Sequence, residues 1–166
     1  MLKVLKVLRV LRVLRVLRVL GVLTVLTVLA VLAALAGCSD LRVKVGVFDT
    51  VDEARAAGAI AAGWVPDGLP RTAGDLREGH LPDGRHWGVF TFPRTEDSAI
   101  RGLLGEEVTS GTLTCDPPGR LEWWPRIVRS PVNVEQVRAT GFRLYRAHDG
   151  RTYVVNWGHG RAYYWR

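Results

Sequence analysis

The sequence predicts an α+β domain built mainly on an antiparallel sheet, with one or two short helices and a C-terminal three-strand meander. Three β-rich runs, 142–147, 152–157 and 162–165, are separated by Asp149-Gly150 and by Gly158-His159-Gly160. Turn residues between β-rich runs are typical of antiparallel hairpins. Since the strands follow one another closely and helices are few, α+β is favoured over α/β.

The sequence of the first half of the domain predicts three further strands, with a helix after the first of them. Residues 43–48 alternate in polarity, and Thr50 with Glu53 forms a capping-box pattern before an Ala-rich helix ending near Ala62. Residues 75–80 and 86–92 predict two strands, because Asp83-Gly84 between them is a hairpin signal.

The later elements are shorter. Residues 64–70 contain two prolines and predict an irregular loop. Thr95 is expected to cap a helix reaching about Leu104, and Val108–Cys115 is expected to form one strand. Asn133 is expected to cap one or two helical turns through Ala139.

The N-terminal segment has the layout of a secretory signal peptide. A basic leader with six Lys and Arg residues is followed by nineteen uncharged residues, 19–37. Leu35-Ala36-Gly37-Cys38 then resembles the lipobox of bacterial lipoproteins. That resemblance implies cleavage between Gly37 and Cys38 and acylation of Cys38 by a diacylglyceryl group, with fatty acids such as palmitate.

The expected organisation is a signal peptide at 1–37, a lipidated cysteine with a short tether at 38–42, and a globular domain at 43–166. The alternative is a retained membrane helix, since nineteen uncharged residues can span a bilayer. Both interpretations place the domain outside the cytoplasmic membrane.

The positive net charge belongs to the leader. Six of the 23 basic residues precede Cys38 and all 16 acidic residues follow it, which leaves the mature part with a net charge of +1. Composition therefore gives no reason to expect nucleic acid as a partner. If Cys38 is acylated, Cys115 has no partner within the chain, and a buried, inert thiol is favoured over a reactive one.

From about Phe48 to Phe92 the chain resembles a group of small bacterial lipoproteins of unknown function. The pattern of that group reads GWxPxxLP, then DLRExH, then WxxFxF. After the His the group has a DLDTN-like stretch, which this chain lacks. The matching positions are Ala57, Gly58, Ile60, Gly63, Trp64, Pro66, Leu69, Pro70, Asp75, Leu76, Arg77, Glu78, His80, Trp87, Phe90 and Phe92. The resemblance implies an envelope location and a fold common to the group. It implies no particular activity.

The densest polar cluster lies in the predicted hairpin. His80, Asp83 and His86 are candidate metal ligands there, although no fixed motif such as HExxH supports them and ordinary turn residues are the alternative. No catalytic residue, resident metal or cofactor is assigned. Trp64, Trp123 and Trp124 lie in Pro-rich loops and are a candidate binding surface, with core packing as the alternative.

These observations favour a lipid-anchored envelope protein, facing the periplasm or exterior, that binds another envelope protein, a peptide or a glycan without catalysis. The alternative is a small periplasmic metal-assisted hydrolase centred on the hairpin of His80 and His86. A purely structural lipoprotein is a third interpretation. Ser39 follows the lipobox without the Asp that retains some lipoproteins in the inner membrane, which slightly favours the outer membrane.

Overall fold

The computed structural model describes residues 43–119 and 121–166. The signal peptide, the Gly37–Cys38 cleavage, the lipidation of Cys38 and the tether at 38–42 therefore lie outside the described residues. The described part belongs to one unit, Arg42–Arg166, and it contains no helix long and apolar enough to cross a membrane.

The chain forms the antiparallel α+β fold that the sequence predicts. Its strands are β1 Lys44–Thr50, β2 Gly74–His80, β3 His86–Thr91, β4 Glu106–Val108, β5 Thr112–Leu113, β6 Val132–Asn133, β7 Arg143–Arg146, β8 Thr152–Asn156 and β9 Arg161–Trp165. Seven of them form one sheet in the order β1-β2-β3-β9-β8-β7-β4, while β5 and β6 form a separate pair. The predicted meander is β7-β8-β9, and pairing of β3 with β9 joins it to the N-terminal strands.

The described residues form three α-helices: α1 Val51–Ala56, α2 Asp97–Leu103 and α3 Val134–Ala139. Thr50 caps α1, because its hydroxyl accepts from the Glu53 amide at 3.2 Å. The Glu53 carboxylate accepts from the Asp49 amide rather than from Thr50, at 2.9 Å. Asn133 caps α3 as predicted.

Three predicted boundaries are wrong. Helix α1 ends at Ala56 rather than near Ala62, because Gly58 adopts a left-handed φ of 77° and the following residues form turns. Thr95 lies inside a 3₁₀ turn that precedes α2 and does not cap it. The single strand expected at Val108–Cys115 is interrupted at Gly111, whose φ of 98° separates β4 from β5.

A hydrophobic cluster packs on each face of the sheet. On β3, Phe90 faces one cluster and Val89 faces the other, as strand alternation predicts. Cys115 lies in the second cluster at 1% exposure, and its burial raises the pKa of the thiol to about 12. This confirms the expected buried thiol.

Candidate ligand-binding cleft

Four basic side chains lie side by side at one end of the sheet. Lys44 on β1 pairs with His80 on β2, and His80 pairs with His86 on β3. His86 in turn exchanges two backbone hydrogen bonds with Arg166, at 3.2 and 3.0 Å. Directly paired residues project from the same face of a sheet, so these four residues form a row that we call the basic row.

His80 belongs to a buried polar cluster beneath Trp64. Its Nδ1 lies 2.9 Å from a Glu78 carboxylate oxygen, and the Trp64 ring stacks on the imidazole with centroids 3.5 Å apart. Burial raises the pKa of Glu78. Hydrogen bonds from His80 and from the Gly46 amide oppose part of this increase. The Trp64 ring therefore covers one side of this cluster.

Two glycines leave the space that this cluster requires. A Cβ at Gly46 would lie 2.6 Å from a Glu78 carboxylate oxygen, and a Cβ at Gly88 would lie 2.1 Å from Cζ of Tyr164. Either contact would force a neighbouring group to move. The glycines thus let a carboxylate and a phenol ring lie directly against the sheet.

The loop that carries Trp64 is held by two side chains from the C-terminal half. Arg151 donates to the Gly63 carbonyl at 2.6 Å, and the Tyr164 hydroxyl donates to the Trp64 carbonyl at 2.9 Å. Burial raises the pKa of Tyr164, which keeps its hydroxyl protonated as a donor. The position of this loop therefore depends on residues about 90 to 100 positions later in the chain.

An open cleft of about 430 Å³ lies beside this loop. Its lining comes from the loop that carries Trp64, the β2–β3 turn and the end of the basic row: Ala62, Gly63, Trp64, Asp83, Gly84, Arg85, His86 and Arg166. This volume lies within the range of pockets that bind small molecules.

His86 lines the cleft, and its ring is almost wholly buried, at 4% exposure. Its Nδ1 lies 3.1 Å from the Gly84 carbonyl, and since a carbonyl only accepts, Nδ1 carries a proton. In the neutral ring the lone pair is then on Nε2. Burial lowers the pKa of His86, and the charges of Arg151 and Arg166 lower it further. Nε2 is buried and has no hydrogen-bond partner within the described residues.

The predicted metal candidates do not converge. His80 and His86 are cross-strand neighbours, as the hairpin predicts. Asp83, however, forms an ion pair with Arg85 at 2.8 Å, which holds the pKa of Asp83 below its usual range. Across the described ranges, no group of three His, Cys, Asp or Glu residues is arranged to hold a metal ion.

The three tryptophans do not form one surface. Trp124 is 3% exposed, its indole N–H donates to the Val128 carbonyl, and its ring meets the edge of Trp165. Its assignment to a binding surface is therefore corrected to core packing. Trp123 is half-buried against Trp124, whereas the half-buried Trp64 lines the cleft.

Sequence reasoning missed Lys44, Arg151 and Arg166 as neighbours of the two histidines. They approach His80 and His86 through strand pairing and the β7–β8 turn, which leave no local signal in the sequence.

Residues 44–91 match the family model of the YbbD head domain. The matched stretch covers less than a third of the chain and comprises β1, β2, β3 and the loop that carries Trp64. Arg151, Tyr164 and Arg166 lie outside it. The chain matches no curated protein and no solved structure at a significant level.

Proposed function

We propose that the protein is a lipid-anchored lipoprotein of the bacterial envelope whose domain binds another envelope component without catalysing a reaction. The support for anchoring is the basic leader, the uncharged run and the sequence Leu35-Ala36-Gly37-Cys38. Cys38 is the proposed acylation site, and two or more acyl chains make an anchor stable. The domain faces the periplasm or exterior, with the outer membrane favoured over the inner.

The observation that carries the binding role is the open cleft beside the loop of Trp64, which His86 and Arg166 also line. The cleft exists in the chain without a ligand, and the carbonyls of Gly63 and Trp64 are both fixed by hydrogen bonds. A site held in this way has little ordering cost when a ligand binds.

The arrangement of Glu78 and His80 favours binding over acid–base catalysis. This pair resembles a carboxylate that orients a histidine base, but Trp64 lies flat on the imidazole at 3.5 Å. A general base must come within hydrogen-bond distance of the proton that it removes. Both side chains are also buried, with His80 7% and Glu78 2% exposed. Little of the pair is therefore open to a substrate, and we assign it to support of the loop.

The motif shared with small bacterial lipoproteins has a structural use here. Gly63 and Trp64 provide the two fixed carbonyls, and Leu69 is buried in the adjoining core at 6% exposure. The first two residues of the GWxPxxLP sequence thus line the cleft, and the resemblance of the whole motif to that group supports an envelope location.

The anchor is tested by the intact mass and membrane partition of three proteins: wild type, Cys38→Ala and Cys115→Ala. We expect wild type and Cys115→Ala to begin at Cys38 and to carry acyl groups, and Cys38→Ala to remain uncleaved. The matched cysteine control separates lipidation at Cys38 from any other thiol chemistry. A wild-type mass that still includes residues 1–37 would establish a retained membrane helix instead.

The binding role is tested by photo-cross-linking in cells. A photoreactive residue at Ala62, on the exposed edge of the cleft, should form an adduct with a specific envelope component. The same residue at Glu135, exposed on α3, is the control and should form none. Equal adducts from both positions, or none from either, would contradict a binding role for the cleft.

A further inference from the structure

Strand β1 leaves one edge of the seven-stranded sheet open to a further strand. It pairs with β2 on one side, and no strand of the described residues pairs with its other side. An edge strand presents a row of backbone N–H and C=O groups to any strand that lies alongside it. At the opposite edge β4 has only three residues, whereas β1 has seven. The edge formed by β1 is therefore the longer template for pairing.

The same strand carries an exposed hydrophobic surface. Val45 and Val47 are 53% and 63% exposed, and they are the only large hydrophobic residues of the described ranges with such exposure. They lie two residues apart and so share one face of the sheet. Val45 pairs with Gly79, where an added Cβ would lie 3.3 Å from Val43, and Val43 packs against the cluster that contains Val89. The two exposed valines thus extend that cluster to the open edge.

The charges of β1 are complementary when two copies lie antiparallel. Edge strands that remain unpaired are usually protected by central charges, prolines or bulges. In β1 the charged residues stand near the ends, at Lys44 and Asp49, and Val45-Gly46-Val47 is uncharged. Antiparallel copies bring Lys44 of each to the end of the other that carries Asp49, whereas parallel copies bring like charges together. The strand is therefore suited to pairing with itself.

We propose that β1 pairs antiparallel with β1 of a second copy, with the two-fold axis at Gly46, so that the two sheets become one. Val45 of each copy then lies opposite Val47 of the other, and the four valines cover one another. An axis at Val47 would instead place Val45 opposite Asp49, which buries less apolar surface. The contact uses the same surface on both copies and is closed, so it stops at a dimer.

The proposed anchor is compatible with this dimer. The two copies of Val43 lie about 20 Å apart in this register, because six residue steps of about 3.4 Å separate them. An extended tether of the five residues from Cys38 reaches at most about 18 Å. Both anchors can therefore enter one membrane when the paired strands lie along its surface, which raises the local concentration of the copies. The pairing itself does not require the anchor, which intact mass tests separately.

Cysteine variants of the full-length protein test the contact and its register. Val45→Cys and Val47→Cys are made in copies with different tags and oxidised briefly, alone and co-expressed. Directly opposed residues have Cα atoms about 4.5–5.5 Å apart, which a disulfide can bridge, whereas diagonal neighbours at about 7–8 Å are too far apart. We expect a disulfide between the two variants and none within either, measured against wild type, in which Cys115 is buried.

The other outcomes each overturn part of the proposal. A disulfide formed by Val47→Cys alone would overturn the register, and no disulfide in any sample would overturn the dimer. A photoreactive residue at Val47 identifies the partner, since its adduct should have twice the mass of the chain. An adduct with a different protein in place of a second copy would overturn the choice of partner.

Charge variants test the same contact without a covalent bond. Two differently tagged wild-type copies should co-purify in an excess of uncharged detergent micelles. Val45→Lys with Val47→Lys places like charges opposite each other and should weaken association by about tenfold or more. Val45→Glu with Val47→Lys adds as many charges but opposes unlike ones, so it should retain the dimer. Thr112→Lys, exposed on β5 outside the large sheet, is the control and should change nothing. Equal loss in both double variants would overturn the register centred on Gly46.

Discussion

Gly88→Ala should show that the cleft depends on a close contact inside the sheet. The added methyl group would lie 2.1 Å from Cζ and 2.2 Å from the hydroxyl oxygen of Tyr164. Tyr164 is 1% exposed and donates to the Trp64 carbonyl, so its ring is held in the core and its hydroxyl is fixed. Either the ring or strand β3 must therefore move.

We expect this substitution to lower the free energy of unfolding by about 3 kcal/mol. Overpacking of a core costs about 1–3 kcal/mol, and loss of the bond to Trp64 would leave the buried Tyr164 hydroxyl without its partner, at about 1–3 kcal/mol. Alanine has less conformational freedom than glycine in the unfolded chain, which stabilises the folded state by only about 0.4–1 kcal/mol. The clash therefore dominates.

Urea unfolding followed by tryptophan fluorescence measures the effect, with Gly102→Ala as the control. Gly102 lies in α2, and a Cβ added there would meet nothing within 4 Å, so alanine should be neutral or stabilising by up to about 1 kcal/mol. In a Tyr164→Leu background Gly88→Ala should cost clearly less, because the ring is absent. Equal stability of Gly88→Ala and wild type would refute the packing argument.

Three further predictions concern the cap, the thiol and the buried imidazole. Asn133→Ala removes the acceptor for the Gln136 amide and should cost about 1 kcal/mol in urea unfolding. Cys115 should react with an aromatic disulfide reagent far more slowly in the folded protein than in urea, because burial raises the pKa of its thiol to about 12. Burial lowers the pKa of His86, so the unfolded chain binds a proton there more readily, and stability should fall as the pH drops below about 6.5. His86→Gln should reduce this loss, measured by urea unfolding at about pH 7.5 and pH 5.5.

Each of these predictions has a result that would contradict it. An unchanged unfolding midpoint for Asn133→Ala would show that the cap contributes nothing. Equal reaction rates for Cys115 in the folded and unfolded protein would refute its burial. If wild type and His86→Gln lost stability in parallel between the two pH values, the buried imidazole would not be the group responsible.

The elements that sequence reasoning predicted well depend on neighbouring residues. Asp83-Gly84 specifies the β2–β3 hairpin, where Gly84 adopts a φ of 92°, and the turn at Gly150 likewise connects β7 to β8. A turn and its flanking strands are encoded within about ten residues, so alternation and turn residues suffice.

The errors arise where distant packing overrides local preference. The Ala-rich segment after Ala56 has high helix propensity, but the Trp64 amide bonds the Ala59 carbonyl in a turn, and the loop is fixed by Arg151 and Tyr164. Trp124 lies in a segment with Pro117 and Pro118 before it and Pro125 directly after it. Such a segment is typical of an exposed loop. The burial of Trp124 requires the Val128 carbonyl as a partner for the indole N–H, and the sequence alone does not reveal that contact.

The candidate cleft could be predicted only in part, because two distant portions of the chain build it. Residues 44–91, which match the YbbD head domain, supply both histidines and the loop of Trp64. The C-terminal portion supplies Arg166 through its pairing with His86, and Arg151 and Tyr164 through their bonds to the loop. A protein that shares only the head-domain segment would carry both histidines without Arg151, Tyr164 and Arg166. Binding to the cleft must therefore be measured with the meander in place, since Arg166, directly after β9, pairs with His86.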